Sequence, residues 1–251
     1  MKLSAVVLTK NEEKNIGDCL KTLNFAHEII IVDDYSEDKT LEIAKKSGDT
    51  VKIFEHRLDG DFSKQRNFGL SKTSGDWVLF LDADERVFEK LALEISNIQY
   101  KTADKYKGFY IKRIDQIWGK ELKYGETANI KLLRLAKKNA GSWEGKVHEE
   151  WKVNGEAGQL ENPISHYPHK NISDFLKEIN FYTDLRSKEL YDNGIRVNWV
   201  SIIIYPLAKF LCNYFIRKGF LDGTEGFLSA AFMSLHSFLV RGKLWMLWQK
   251  R

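Results

Sequence analysis

Within the first 85 residues, four short apolar runs alternate with segments of helical spacing, and this alternation constrains the fold more than any other feature of the chain. The runs cover residues 3–8 (Leu-Ser-Ala-Val-Val-Leu), 28–32 (Glu-Ile-Ile-Ile-Val), 50–55 and 77–81 (Trp-Val-Leu-Phe-Leu). Each is too short for a helix that stands alone, and most are rich in β-branched or aromatic residues. They read as strands buried on both faces. Between them, Ile16, Cys19, Leu20 and Leu23 recur at helical spacing, residues 36–46 turn Leu41, Ile43 and Ala44 inward, and residues 62–72 form a third helix ending near Ser74-Gly75. Such alternation predicts a parallel, doubly wound α/β sheet.

Two of these strands end in paired acids, Asp33-Asp34 and Asp82-Ala83-Asp84, the latter followed by Glu85. The carboxyl edge of an open α/β sheet is where ligands bind. Each pair alone has an ordinary explanation, as a helix cap with first-turn charge or as a solvated turn. Together they repel one another unless a cation or a hydrogen-bonding ligand is present, so the pattern points to a nucleotide-plus-metal site. Composition narrows the alternatives. The length of 251 residues suits one α/β domain with an appendage. Basic and acidic residues nearly balance, 39 against 35, which does not suggest a nucleic-acid binder. Cys19 and Cys212 are too few for a disulfide framework or a zinc site and fit a reducing compartment. No Walker loop or Gly-rich dinucleotide fingerprint is present. Met1-Lys2 leads straight into the first strand with no signal peptide, and a cytoplasmic location is expected.

Four stretches carry a resemblance to a known family: Val6-Val7-Leu8-Thr9-Lys10-Asn11-Glu12, Ile31-Val32-Asp33-Asp34-Tyr35-Ser36-Glu37-Asp38-Lys39-Thr40, Gln65-Arg66-Asn67-Phe68-Gly69, and Gly75-Asp76-Trp77 through Asp84-Glu85. In this order they resemble family 2 glycosyltransferases of the GT-A fold, and among these the short bacterial enzymes similar to lipopolysaccharide-core β-glucosyltransferases. Tyr35 stands where that family often has glycine. The resemblance implies a Rossmann-like, mostly parallel central sheet with flanking helices. It implies an inverting, metal-dependent transfer of a hexose from a nucleoside-diphosphate sugar, UDP-linked by preference with GDP open, to a glycan or glycolipid of the cell envelope. It also implies roles. Thr9 and Glu12 line the nucleotide pocket, and Asp34 accepts from a uracil-type base. Arg66 lies near the base or diphosphate, Asp82 reaches the ribose or metal, and Asp84 binds Mg²⁺ or Mn²⁺ directly. The cation would stabilise charge on the departing diphosphate.

Farther along, residues 91–98 read as a helix and residues 108–117 and 130–135 as strands. Gly141 to Glu150 contains Val147-His148-Glu149 between Trp143 and Trp151, similar to a Val-His-Glu motif of the same subgroup. An inverting transfer needs a base for the acceptor hydroxyl. Glu149 is the expected base and His148 an acceptor or supporting contact, although a strand with charged residues on an exposed face reads the same way. His166 could complete the metal shell or simply be hydrogen-bonded in a loop. The resemblance implies acceptor contacts at Arg113 and Trp118, and Trp143 is expected to join them, with core packing at least as open for Trp118. Asn171-Ile172-Ser173 matches a glycosylation sequon, which is irrelevant in a cytoplasmic protein.

Residues 1–170 are expected to form the catalytic domain and residues 171–251 a helical region. Residues 174–191 are amphipathic, with Phe175, Ile179, Tyr182 and Leu185 on one face. Two apolar stretches follow, 199–208 and 226–240, bordered by tryptophans and by Lys or Arg. Such helices suit peripheral contact with an anionic membrane, and packing on the catalytic domain or on a second subunit stays open. Two other functional classes also remain at this point: a polyprenyl-phosphate glycosyltransferase, whose phosphate nucleophile needs no strong base, and a non-catalytic nucleotide-sugar-binding scaffold.

Overall fold

The computed structural model describes residues 2–98, 105–128, 130–146, 149–169 and 171–249. In chain order the elements are β1 (Leu3–Thr9), α1 (Ile16–Lys21), β2 (Glu28–Asp33), α2 (Thr40–Lys45), β3 (Val51–Glu55), α3 (Phe62–Lys72), β4 (Trp77–Asp82), β5 (Glu85–Arg86), α4 (Glu89–Ser96), β6 (Gly108–Ile117), β7 (Lys120–Glu121), β8 (Lys131–Lys137), β9 (Gly141–Glu144), β10 (Glu150–Val153), β11 (Ala157–Gln159) and β12 (Ile164–His166). The C-terminal helices are α5 (Ile172–Asp192), α6 (Trp199–Leu211) and α7 (Gly223–Gln249), with a π-helical turn at Cys212–Ile216 and a 3-10 turn at Gly219–Asp222 between the last two. The chain divides into two compact units, residues 1–113 with 131–166, and residues 114–130 with 167–251.

The main sheet has the order β3-β2-β1-β4-β8-β6-β12-β5, with β7 and β11 beside β6. The first four strands are parallel, as their alternation with helices predicts. Beyond β4 the sheet turns antiparallel, β8 against β4 and β6 against β8. Strand parity divides the core. Leu3, Ala5 and Val7 of β1 join Ile29, Ile31, Leu79 and Leu81 and the helices α1 and α4 on one face, while Val6 joins Ile30, Val32, Val78 and Phe80 on the other. The second face is closed by Trp143 and Trp151 from the β9–β10 hairpin. On that face α3 approaches β1 closely at Gly69, where an added Cβ would lie 2.6 Å from Val6 Cγ1.

The second helix begins at Thr40, not near residue 36. Asp33 ties up that turn, accepting from the Ser36 backbone N–H at 2.7 Å and from its hydroxyl at 2.6 Å. Thr40 is then the first residue free to start the helix, with its backbone N–H on Asp38 Oδ1 at 2.9 Å. Such side-chain turns compete with helix at Ser and Asp.

In the second unit, α5 starts at Asn171, whose side chain caps Asp174 N–H at 2.9 Å, so the sequon asparagine serves as a helix cap. Its buried stripe is Phe175, Ile179, Thr183 and Ser187, while Tyr182, expected inside, is exposed and Leu185 is only half-buried. The strict four-residue spacing places small polar residues where α7 crosses, and Lys243 of α7 donates to Thr183 Oγ1 and to the Asn180 carbonyl, each at 2.8 Å. Residues 114–130, which the sequence reading includes in residues 1–170, belong with this helical unit. Asp222 accepts from the backbone N–H of Lys123 and Tyr124, and Glu126 pairs with Lys209 and Asn213.

Candidate active site

The carboxyl ends of β1, β2 and β4 bring Thr9, Asp33-Asp34 and Asp82 to one edge of the sheet. The two acids after β2 have different duties. Asp33 is fully buried and closes its own turn. Asp34 accepts from Leu58 N–H at 3.0 Å and faces Lys10 Nζ at 3.0 Å, fastening the loops after β1, β2 and β3 to one another. Thr9 is buried and its Oγ1 has no hydrogen-bond partner among the described residues. Glu12 accepts from Asn15 Nδ2 at 2.8 Å, and its backbone N–H donates to Thr40 Oγ1 at 2.7 Å. Tyr35 takes φ 54°, a left-handed conformation, and this explains in backbone terms why glycine suits the position.

The acids after β4 sit in a network of buried charge. Arg66 Nη2 donates to Asp82 Oδ1 at 2.9 Å and Arg134 Nη2 donates to Asp82 Oδ2 at 2.7 Å. Burial opposes ionisation of Asp82, but Arg134 and then Arg66 outweigh it and hold the carboxyl far below the usual range. Glu85 is fully buried, accepts from Asp82 N–H at 3.0 Å and lies 3.4 Å from Arg134. Burial pushes its carboxyl above the ordinary range, with Arg134 opposing. Arg86 fixes the turn by donating to the carbonyls of Ala83, Glu85 and Asn15, each at 2.9 Å.

Both oxygens of Asp82 are therefore held by arginines. Asp84 is placed differently. Its Oδ2 lies 3.2 Å from His166 Nε2, and its Oδ1 is buried without a hydrogen-bond partner among the described residues. The antiparallel pairing of β12 with β5 sets His166 opposite Glu85, which brings the imidazole to Asp84. Burial works against the Asp84 carboxylate, yet His166 keeps its pKa below the normal value. Arg113, expected at the acceptor, lies near enough to Asp84 and Glu85 to favour both as anions.

Among the described residues no three His, Cys, Asp or Glu side chains converge as a complete ligand set. Asp84 and His166 still fit a divalent cation. Mg²⁺ takes few protein ligands and fills its shell with phosphate and water, and adjacent ligands about 2.1 Å from an octahedral ion stand about 3.0 Å apart. The observed 3.2 Å separation and the unclaimed Oδ1 match that requirement.

Arg66 also reaches the acceptor-side motif. Its Nε donates to Glu149 Oε1 at 2.8 Å, and its guanidinium lies 4.7 Å over the Trp143 ring. Nη1 of Arg66 has no partner among the described residues, while Nε and Nη2 are committed to the carboxylates of Glu149 and Asp82. Trp143 is not an open acceptor platform. It is 5% exposed, stacked on Trp151 with ring centroids 5.4 Å apart, and edge-on to Phe80. Asn67 holds it there through a reciprocal pair of 2.9 Å hydrogen bonds to the Trp143 backbone. Trp118 falls in the second unit, half-buried at φ 50°, with its ring edge-on to Phe232. His148 lies outside the described residues.

Arg134 was not singled out by the sequence reading. Its signal is the lone charge inside Leu132-Leu133-Arg134-Leu135-Ala136, since an arginine in a buried strand demands an anionic partner.

Comparisons with known proteins identify the family and the fold. The family model "Glycosyl transferase family 2" matches residues 4–147. An uncharacterized glycosyltransferase of Rickettsia typhi is 29% identical over 97% of this chain and 86% of its own length. The lipopolysaccharide core biosynthesis glycosyltransferase LpsC of Rhizobium meliloti is 27% identical over 97% of this chain and 92% of its own. Among solved structures, a mannosyltransferase of Pyrobaculum calidifontis in complex with GDP-Man and Mn²⁺ superposes with a TM-score of 0.56 at 12% identity, covering 100% of this chain and 88% of that one. The fold is that of the GT-A glycosyltransferases, and the chain belongs to glycosyl transferase family 2.

Proposed function

We propose that the protein transfers a hexose, with inversion, from a nucleoside-diphosphate sugar to a hydroxyl of a glycan or glycolipid used in envelope polysaccharide synthesis. The observation that carries this reading is the division of labour at the acidic turn, with Asp82 neutralised by Arg66 and Arg134 and Asp84 left with an unclaimed buried oxygen beside His166. Asp84 and His166 would hold Mg²⁺ or Mn²⁺, which offsets the charge that develops on the departing diphosphate. Thr9, Glu12 and Asp34 line the donor side, and Asp34 is fixed by Leu58 and Lys10 so that its carboxylate stays in place for the base. The preference for a UDP-linked donor rests on the sequence resemblance, and the likeness to LpsC supports the envelope setting.

Glu149 is the base in this proposal. Among the described residues its Oε1 is held by Arg66, which leaves Oε2 to receive the proton of the acceptor hydroxyl. The acceptor oxygen bonds to the anomeric carbon, the bond from that carbon to the diphosphate oxygen breaks, and the nucleoside diphosphate leaves with the electron pair. The ion pair with Arg66 ties up the other oxygen of this carboxylate. That one observation favours a second reading, a phosphate nucleophile on a polyprenyl carrier, which needs no base. Glu149→Gln separates them: loss of transfer to a sugar hydroxyl supports the first reading, and retained transfer to a lipid phosphate the second. A thermal-shift screen of nucleotide sugars with Mn²⁺ present identifies the donor. Hydrolysis of that donor is expected to vanish in Asp84→Ala. Hydrolysis and metal response equal to wild type would overturn the site assignment.

A further inference from the structure

The second unit presents an apolar face that is largely exposed among the described residues. Residues Trp199–Ile216 form an 18-residue helical stretch of mean hydropathy 1.5 of which only 11% is buried. Trp199 is 72% exposed and Ile216 76%, and between them Ile203, Ile204, Leu207, Leu211 and Phe215 are each at least half exposed. Taking roughly 150–250 Å² for a large side chain, the exposed apolar area is about 900 Å², beyond the 300–600 Å² typical of the largest patch on a soluble monomer. A buried core helix does not look like this.

The same stretch is anchored to protein on its other side. Pro206 is buried, and its carbonyl accepts from Ser234 of α7 at 2.8 Å. Lys209 and Asn213 bind Glu126. Val200, Ile204, Leu207, Leu211 and Phe215 follow one another at three- and four-residue steps along the opposite side. Because one face is bonded to a charged loop residue, this helix is not surrounded by lipid, and an orientation flat on a surface is the one that satisfies both faces.

Charge identifies the surface. Residues 196–218 contain Arg196, Lys209, Arg217 and Lys218 and no Asp or Glu. Glu126 neutralises Lys209, which leaves cations at both ends of the apolar stripe and a tryptophan at its start. A second copy of this chain is a poor occupant, because two-fold antiparallel pairing would set the Arg196 end of one helix against the Arg217-Lys218 end of the other. We propose that the outer face of α6 and its π-helical extension docks on the surface of an anionic lipid bilayer, the stripe entering the headgroup boundary and the flanking cations meeting lipid phosphates. The inference stands on the second unit alone and does not depend on the donor or base assignment.

The test is flotation of the full chain with vesicles of phosphatidylcholine alone and of phosphatidylcholine with about one third phosphatidylglycerol. Wild type is expected to float with the anionic vesicles and to be released by high salt. The triple variant Ile204→Ser, Leu207→Ser, Leu211→Ser should lose about a thousandfold in partition coefficient, from three apolar side chains each contributing about tenfold. Its melting temperature should fall by only a few degrees, since more than half of each of these side chains is already in water. Arg217→Gln with Lys218→Gln should weaken the preference for anionic over neutral vesicles, and adding Arg196→Gln should abolish it. Flotation of the triple variant equal to wild type would overturn the proposal. So would a wild-type chain that binds neither vesicle, or one that is a dimer which the triple variant turns into a monomer.

Discussion

Replacing Arg134 by methionine keeps the volume of the side chain and deletes its charge. Arg134 is 5% exposed and meets Asp82 at 2.7 Å and Glu85 at 3.4 Å. In the variant Asp82 keeps Arg66, but Glu85, fully buried, loses the one cation it pairs with among the described residues. Removing one partner of a buried ion pair typically costs about 3–5 kcal/mol, mostly because the remaining charge is stranded. For a chain of this size that is a fall in melting temperature on the order of 10 °C. Urea unfolding followed by circular dichroism gives the free energy directly, with an unchanged slope as the sign that only stability has moved. The reasoning makes a second demand. Adding Glu85→Gln to Arg134→Met removes the stranded charge, so the double variant should recover about 1–2 kcal/mol relative to Arg134→Met alone. If Arg134→Met loses less than about 1 kcal/mol, or if the second substitution deepens the loss by its full single-variant value, the buried network does not hold the acidic turn as argued.

Three other substitutions probe separate layers. Glu28 is buried with Lys52, Ser4 and Ser74 as partners; burial alone would raise its pKa, but those hydrogen bonds bring it down to about 2 from 4.5. A depressed carboxylate stabilises the fold above its unfolded pKa, so wild type should lose about 2–3 kcal/mol as pH falls from 4.5 towards 2, and Glu28→Gln should flatten that part of the stability profile. Gly69→Ala would force a Cβ against Val6 and should destabilise by about 1–3 kcal/mol in thermal or urea melts. Trp143→Ala should cost about 3–5 kcal/mol of stability. A variant with wild-type stability and a raised acceptor KM would return the ring to the acceptor surface.

Much of the first unit was legible because its strands are buried on both faces and therefore read as unbroken apolar runs ending at polar loops. The four parallel strands and the edge on which Thr9, Asp34, Asp82 and Asp84 gather follow from that pattern. The partner of each acid did not follow. Asp82 and Asp84 are one residue apart and chemically alike, and only the arrival of Arg66 from α3, Arg134 from β8 and His166 from β12 makes one an ion-paired strut and leaves the other beside a histidine with one oxygen unpartnered among the described residues. Those contacts are 16, 52 and 82 residues away in sequence, beyond the reach of any local pattern. Trp143 misled for a related reason. Aromatic residues beside a candidate base suit a sugar platform and a core equally, and the Asn67 bonds that turn this ring inward are not written in its neighbours. On α5 the apolar residues predicted a stripe through Tyr182, whereas Thr183 and Ser187 fill the crossing with α7 because small side chains let the helices approach.

The central claim is that Asp84, with His166, holds the divalent cation while Asp82 is a neutralised strut. Its most direct test is Mn²⁺ titration followed by electron paramagnetic resonance in the presence of UDP, for wild type, Asp84→Asn and His166→Gln. The account predicts that Asp84→Asn weakens Mn²⁺ binding at least about a hundredfold, as loss of a directly bound anionic ligand requires, and that His166→Gln weakens it by about 10–100-fold, with the fold of both intact. Wild-type Mn²⁺ affinity in Asp84→Asn would contradict it.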